Sequence, residues 1–218
     1  MHSIDFGQVL ITFIVLLVSL TVHEAAHAWT ADRLGDPTAR QLGRVSLNPA
    51  VHVDPIGTVL FPLIALLTSV PVIGWAKPVP VDVRNLSRPR RDFMLIAAAG
   101  PASNLVLAVI ASVCFAFVWG ALPADNPAAH GLFTAATVLY GVVALNVMLA
   151  VFNMLPIPPL DGGNVLLGVL PPAAAVQFSR LRQYGFLILY ALLLTGLFQR
   201  IVSPPTNAIV SLLIRGVA

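Results

Sequence analysis

Two histidines flank the only glutamate of the chain in a spacing that suits metal chemistry. His23, Glu24 and His27 form the pattern His-Glu-x-x-His inside a long apolar stretch. Residues four apart share one face of a helix, so both imidazoles can bind one metal ion. Glu24 then lies beside the metal, where it can take a proton from bound water. An ionisable cluster at membrane depth costs roughly 3 kcal/mol or more, so we interpret it as a functional site rather than as polar residues of a cytoplasmic interface.

A catalytic zinc ion needs a third protein ligand and an open position. The candidates elsewhere in the chain are Asp161, His52, Asp54 and His130. Asp161 is favoured, because its carboxylate lies among prolines, glycines and apolar residues and needs a partner. Asp-Gly is also a common turn dipeptide, so residue types alone leave this assignment open. The pair His52 and Asp54 could bind a second metal or contact substrate, or serve turn and hydrogen-bonding roles in a polar loop.

The two motifs together resemble the site-2 protease family of intramembrane zinc metalloproteases. The second motif is Asn-Met-Leu-Pro-Ile-Pro-Pro-Leu-Asp-Gly, at residues 153–162. Further segments similar to that family, and to its compact prokaryotic subgroup, are residues 43–49, 52–57, 74–81 and 99–104. Many family members carry an inserted PDZ domain that gates substrates, and no internal segment here is long enough for one.

The resemblance implies one Zn²⁺ per chain, held by His23, His27 and Asp161. It implies that Glu24 is the catalytic base. The activity implied is hydrolysis of peptide bonds in or near the transmembrane helices of membrane-protein substrates, as in regulated intramembrane proteolysis. A non-proteolytic metal-binding membrane protein or transporter is the alternative, and a catalytically idle scaffold is a third class that the intact set of four residues argues against.

Two asparagines are weaker candidates for the catalytic machinery. The resemblance implies that Asn153 orients substrate or stabilises an oxyanion, which a side-chain amide donor can do. Capping of a helix end explains Asn153 equally well, since asparagine favours such positions. Asn104 has a similar implied role within the segment at 99–104.

Composition places these residues in a membrane protein. Hydrophobic residues make up 58% of the 218 residues and charged residues 10%, whereas soluble domains have about 25% charged residues. One cysteine, Cys114, excludes a disulfide scaffold. Eight of the twelve basic residues fall between Arg33 and Arg91 beside apolar segments, which indicates cytoplasmic loops rather than nucleic-acid binding. We therefore expect an active site towards the cytoplasmic side of the membrane. The resemblance to the prokaryotic subgroup implies that this is a prokaryotic cell (inner) membrane.

The apolar segments predict an all-α polytopic membrane protein, formed as a single domain over residues 1–218 with about four to six membrane segments. A small β element near the cytoplasmic face could pair with an unwound substrate, with loops 33–58 and 77–92 as candidates. The expected segments are a span at 6–31, a re-entrant or membrane-surface hairpin at 59–76, a span at 93–119, a span at 131–170 broken at 153–163, a span at 184–202 and an amphipathic surface helix at 206–217.

Overall fold

The computed structural model describes residues 6–62, 64, 74–121 and 130–216. The helices are α1 (Phe6–Arg33), α2 (Thr38–Gln41), α3 (Pro89–Gly120), α4 (His130–Asn153), α5 (Asp161–Val169), α6 (Pro172–Ser179), α7 (Gly185–Leu194) and α8 (Leu197–Arg215). Shorter helical turns of 3-10 type lie at Pro49–Val51, Val83–Asn85 and Arg180–Tyr184, and a π-helix lies at Pro55–Leu60.

Three of the described helices, α1, α3 and α4, are long and apolar enough to cross a membrane. The helices α6, α7 and α8 add a fourth crossing if their bent arrangement is counted as one span. Helices satisfy their own backbone groups, which is why apolar runs of this length take this form in lipid. The predicted all-α polytopic class is confirmed, with three to four spans in the described residues.

Helix α3 is the central element, and it packs against α1, α4 and α5. Small residues allow the close approach of α3 and α4, since Ala108 and Ala111 meet Val143 and Val147 in a fully buried cluster. Val210 of α8 closes the same cluster. The position of α3 therefore sets where α1 and α5 can meet.

The ends of α1 and α3 are held together on the loop side. Ala31, Leu86 and Ile96 form a second buried cluster between them. The buried carboxylate of Asp36 accepts hydrogen bonds from the hydroxyl and the backbone N–H of Thr38, from the side chain of Asn85 and from the backbone N–H of Asp82. Although burial raises the pKa of Asp36, these bonds outweigh it and hold that pKa below its usual range. Two loops distant in sequence are thereby joined at the end of α1.

The proline- and glycine-rich segment at 153–163 separates α4 from α5. Proline removes a backbone donor and clashes with the preceding helical turn, so α4 cannot continue through 156–159. Helix α5 starts at Asp161, and the glycine after it allows close packing, because a Cβ on Gly162 would lie 2.2 Å from the carbonyl oxygen of Met154. The loop thus presents Asp161 in the first turn of a new helix.

The C-terminal region differs from the single helix expected over 184–202. Helix α7 ends at Leu194, and Gly196 takes a left-handed conformation with φ +70° that only glycine adopts at little cost. Helix α8 then continues at an angle of 82° to the preceding helical segment. The surface helix expected from residue 206 therefore belongs to a longer α8 that begins at Leu197.

None of the described loop residues forms the small β element that was expected. Asn48, Asp54 and Asp82 each accept a hydrogen bond from the backbone N–H two residues later, which starts a helical turn. These hydrogen bonds use backbone N–H groups that a strand would need for pairing with a neighbouring strand. Most of the hairpin expected at 59–76 lies outside the described residues.

Candidate metal centre

His23 and His27 lie one turn apart on the buried face of α1. There is no glycine or proline between Gln8 and Arg33, so nothing in the sequence interrupts the helix at this point. Both histidines are buried, and their Nε2 atoms are 3.1 Å apart. The spacing in the sequence therefore produces the shared helix face that it predicted.

Asp161 completes a cluster with these histidines from a distant part of the chain. Its Oδ2 atom lies 3.1 Å from Nε2 of His23 and 3.4 Å from Nε2 of His27. This oxygen is buried and has no hydrogen-bond partner in the part of the chain that the structure describes. Among the described residues, His23, His27 and Asp161 are the group of His, Cys, Asp and Glu side chains that could hold a metal ion.

The hydrogen bond on the far side of His27 identifies which of its nitrogens is free. Nδ1 of His27 lies 2.7 Å from the carbonyl oxygen of Ile96. A carbonyl oxygen only accepts, so Nδ1 must carry the proton and donate it. In the neutral ring, Nε2 is then an unprotonated lone pair directed into the cluster.

A chain of side-chain amides identifies the tautomer of His23 in the same way. Asn146 donates from Nδ2 to the carbonyl oxygen of Val142, which leaves its Oδ1 to accept from Nδ2 of Asn104 at 2.9 Å. Oδ1 of Asn104 therefore accepts the proton of Nδ1 of His23, at 2.6 Å. Ser19 supplies a further acceptor to each asparagine. Nε2 of His23 is again a lone pair directed into the cluster.

The two Nε2 atoms and Oδ2 of Asp161 thus lie 3.1–3.4 Å from one another. In the neutral imidazoles, none of these three atoms carries a proton. Lone pairs at this distance repel one another unless a cation lies among them. Zinc bonded to nitrogen and oxygen at about 2.0–2.1 Å in a tetrahedron has ligands roughly 3.3 Å apart. The residues present therefore fit zinc as three protein ligands, which is the number that a catalytic site uses when its fourth position stays open.

Glu24 lies beside this cluster but is not part of it. It is half-buried and makes no hydrogen bond or ion pair with another described residue. Its charge acts through space on Arg44, whose side chain is buried and donates to the carbonyl oxygen of Lys77. Glu24 is thus a carboxylate without a hydrogen-bond or ion-pair partner among the described residues, and it lies outside the converging group.

The other candidate ligands are not part of the cluster. His52 is buried, with Nε2 bound to the carbonyl oxygen of Ser46, and Asp54 caps the π-helix through the N–H groups of Ile56 and Gly57. These contacts support the hydrogen-bonding interpretation of the pair. The side chain of His130 lies outside the described residues.

The two asparagines of the sequence prediction have different surroundings. Asn104 is fully buried and contacts His23, as described above. Asn153 donates a hydrogen bond to the carbonyl oxygen of Leu149 in the last turn of α4. Its side chain therefore satisfies a backbone group at the end of the helix, as the capping interpretation expected. Neither Asn146 nor Ser19 was identified from the sequence alone. An asparagine within the apolar run of α4 is a signal that could have pointed to Asn146.

Gly100 of α3 provides the space in which the cluster lies. A Cβ at this position would lie 2.4 Å from Nε2 of His27 and 2.5 Å from Nε2 of His23. Both rings are held from behind by hydrogen bonds, so neither can move aside freely. A side chain on residue 100 would therefore occupy the space next to the two Nε2 atoms that converge with Asp161.

We expect Gly100→Ala to lower zinc affinity at least tenfold and to destabilise the fold by about 1–3 kcal/mol through overpacking. Metal content by elemental analysis and thermal unfolding in detergent measure the two effects. Gly141→Ala on α4 is the matched control, because no described residue outside the backbone of its own helix comes within 4 Å of the place that a Cβ would take. Alanine there should leave zinc binding unchanged and alter stability by about 1 kcal/mol at most. Equal zinc affinity in the Gly100→Ala protein and the wild type would contradict this placement.

Comparison with known proteins identifies the family. The model of Peptidase family M50 matches residues 11–137 and 127–196. "Putative zinc metalloprotease YwhC" of Bacillus subtilis (strain 168) is 37% identical over 202 residues, which cover 89% of this chain and 85% of that protein. "Putative zinc metalloprotease Rip2" of Mycolicibacterium smegmatis is 35% identical over 84% of this chain and 66% of its own length. Its counterpart in Mycobacterium tuberculosis strain H37Rv is 29% identical over 82% of this chain and 64% of its own length.

No solved structure matches the chain significantly. The names of the relatives and the chemistry of the three ligand side chains both indicate zinc as the metal. Two independent findings, the family match over most of the chain and the long apolar helices, agree with the resemblance noted in the motifs. The chain is an integral membrane protein and belongs to Peptidase family M50, the site-2 protease family.

Proposed function

We propose that this protein hydrolyses peptide bonds within or near the transmembrane helices of membrane-protein substrates. The observation that carries the proposal is the meeting of three lone pairs from His23, His27 and Asp161 beside a carboxylate that is not a ligand. A site that only stored or carried a metal would gain most by using Glu24 as a fourth ligand. An uncommitted carboxylate next to a three-ligand site instead supplies a general base.

Each protein group has a defined role in this reaction. Zinc, when bound by His23, His27 and Asp161, acts as a Lewis acid and makes water acidic enough to ionise near neutral pH. Glu24 accepts the proton of the attacking water on a carboxylate oxygen. It then delivers that proton to the nitrogen of the leaving amine, since one residue can act as base and then as acid.

Asn104 acts as a positioning residue through His23. Its Oδ1 holds the imidazole in the tautomer that presents Nε2, and the carbonyl of Ile96 does the same for His27. Such contacts behind metal-binding histidines fix ring orientation and basicity. For Asn153 we propose contact with the substrate carbonyl, because only one of its two amide hydrogens is used by Leu149 and it lies at the start of the loop that ends at Asp161.

The membrane location determines what the substrate must do. A peptide bond in a helix is shielded by the hydrogen bonds of its own backbone, so the substrate must unwind locally before cleavage. His27 lies four residues before Ala31, which places it about 6 Å from that end of the apolar run. The basic residues that follow this end support a cytoplasmic orientation in a prokaryotic cell membrane.

A test of the proposed function uses the purified full chain in detergent, with a candidate membrane-helix substrate carrying labels at both ends. We expect cleavage to stop when a chelator removes the metal and to return on addition of one equivalent of Zn²⁺ per chain. Cleavage should be retained when the substrate helix is weakened by glycine and should fall when it is strengthened by leucine. Undiminished cleavage by metal-free protein would refute the proposal.

A further inference from the structure

A basic cavity lies at the start of α3, next to the C-terminal end of α5 and so at the opposite end of that helix from Asp161. It has a volume of about 520 Å³ and is formed by residues 88–91 and 168–171. Three of these residues are arginines, and no acidic side chain lines the cavity. The nearest acid in the first turn of α3, Asp92, is buried and accepts a hydrogen bond from the backbone N–H of Arg88.

The arginines of this cavity differ from the other arginines in the same part of the chain. Between Arg33 and Arg84 each guanidinium has a partner in the described residues. The pairs are Arg33 with the ring of Trp29, Arg40 with Asp32, Arg44 with the carbonyl of Lys77, and Arg84 with Asp82. In the cavity, Arg90 donates to the carbonyl oxygen of Leu167, but the guanidinium groups of Arg88 and Arg91 have no hydrogen-bond or ion-pair partner among the described residues. Two unpaired positive charges therefore face one concave space.

The position and the second wall of the cavity indicate the kind of anion that fits. Helix α3 has 32 residues, which span about 48 Å, whereas the hydrocarbon core of a bilayer is about 30 Å thick. The arginines lie within five residues of Phe93, where the apolar run begins, so they reach the headgroup region. The opposite wall is apolar, with Val169 69% exposed beside Leu170 and Pro171. A ligand that satisfies both walls carries a phosphate and a hydrocarbon chain.

We propose that this cavity binds an anionic phospholipid, with its phosphate between Arg88 and Arg91 and an acyl chain along residues 169–171. Guanidinium groups suit phosphate because they donate two hydrogen bonds in a plane. Arg90 fixes the width of the cavity, since its bond to Leu167 ties the start of α3 to the last turn of α5. The site is separate from the metal centre, and the proposal does not depend on the proposed proteolytic function.

The test measures lipid retention by native mass spectrometry on the purified full chain, with phosphatidylglycerol and phosphatidylcholine of identical acyl chains. We expect wild-type protein to prefer phosphatidylglycerol. The double variant Arg88→Gln/Arg91→Gln should lose about 30-fold in affinity for it, as two interfacial arginines would contribute. The matched control is Arg180→Gln/Arg182→Gln, an exposed pair outside the cavity, which should retain wild-type affinity.

Three results would overturn the proposal. The first is equal retention of the two lipids by wild-type protein, which needs no variant and so stands even if the double variant folds poorly. The second is an equal loss of affinity in the control pair, which would indicate a general effect of charge. The third is displacement of phosphatidylglycerol by millimolar inorganic phosphate, which would make free phosphate the ligand in place of a lipid.

Discussion

Glu24→Gln should abolish peptide-bond cleavage while leaving zinc bound. Glutamine keeps the size of the side chain but cannot accept the proton of the attacking water. General acid–base catalysis contributes about 10²–10⁴-fold, and one residue here serves in both proton transfers, so we expect kcat to fall by about 10³-fold or more. Zinc content should stay at one per chain, because Glu24 is not among the side chains whose ligand atoms converge.

The control for this substitution removes a carboxylate elsewhere. The control variant is Asp82→Asn, in a loop where Asp82 forms an ion pair with Arg84. It should leave kcat unchanged, since this carboxylate has no contact with the metal centre. Cleavage at the wild-type rate by the Glu24→Gln protein would show that the base has been misassigned. Loss of zinc from that variant would show instead that Glu24 is a ligand, as the carrier alternative requires.

Asp161→Ala should empty the metal centre. Its carboxylate supplies the one negative charge among the three converging atoms, at 3.1 and 3.4 Å from the two imidazoles. Substitutions of residues that only support a ligand cost 10–100-fold in metal affinity, so loss of the ligand itself should cost more than 100-fold. Elemental analysis after dialysis against a weak chelator should find less than one tenth of the wild-type zinc, and cleavage should fall in proportion.

His52→Ala is the informative comparison for Asp161→Ala. His52 was a candidate for the same role, but it contacts the carbonyl oxygen of Ser46 rather than the cluster. Its replacement should lower stability and leave zinc content at the wild-type level. The reverse pattern, with zinc retained without Asp161 and lost without His52, would move the third ligand to residue 52.

The local part of the centre could be predicted from the sequence. His23, Glu24 and His27 belong to one uninterrupted helix, and a helix determines the relative position of residues one turn apart by its own geometry. The same holds for the apolar runs that form α1, α3 and α4, because their length and composition suffice to make them membrane-spanning helices. The break in the helix before Asp161 follows equally from the prolines at 156–159.

The C-terminal helix shows where local patterns misled. A continuous apolar run at 184–202 predicted one helix, and the run does contain Gly196. Glycine inside an apolar helix is tolerated in many proteins, so composition does not say whether the chain turns there. In the structure the chain turns by 82° at this glycine, and α8 then packs with Val210 in the cluster between α3 and α4.

What the sequence by itself determined is a membrane helix that presents two imidazoles and a carboxylate at one depth. Only the tertiary structure brings Asp161 to His23 and His27, places Asn104 and Asn146 behind His23, and leaves room for the cluster at Gly100. The physical reason is separation along the chain. Helical spacing relates residues a few positions apart, whereas His27 and Asp161 are 134 positions apart in the sequence. Their meeting depends on how α1 and α5 both pack against α3.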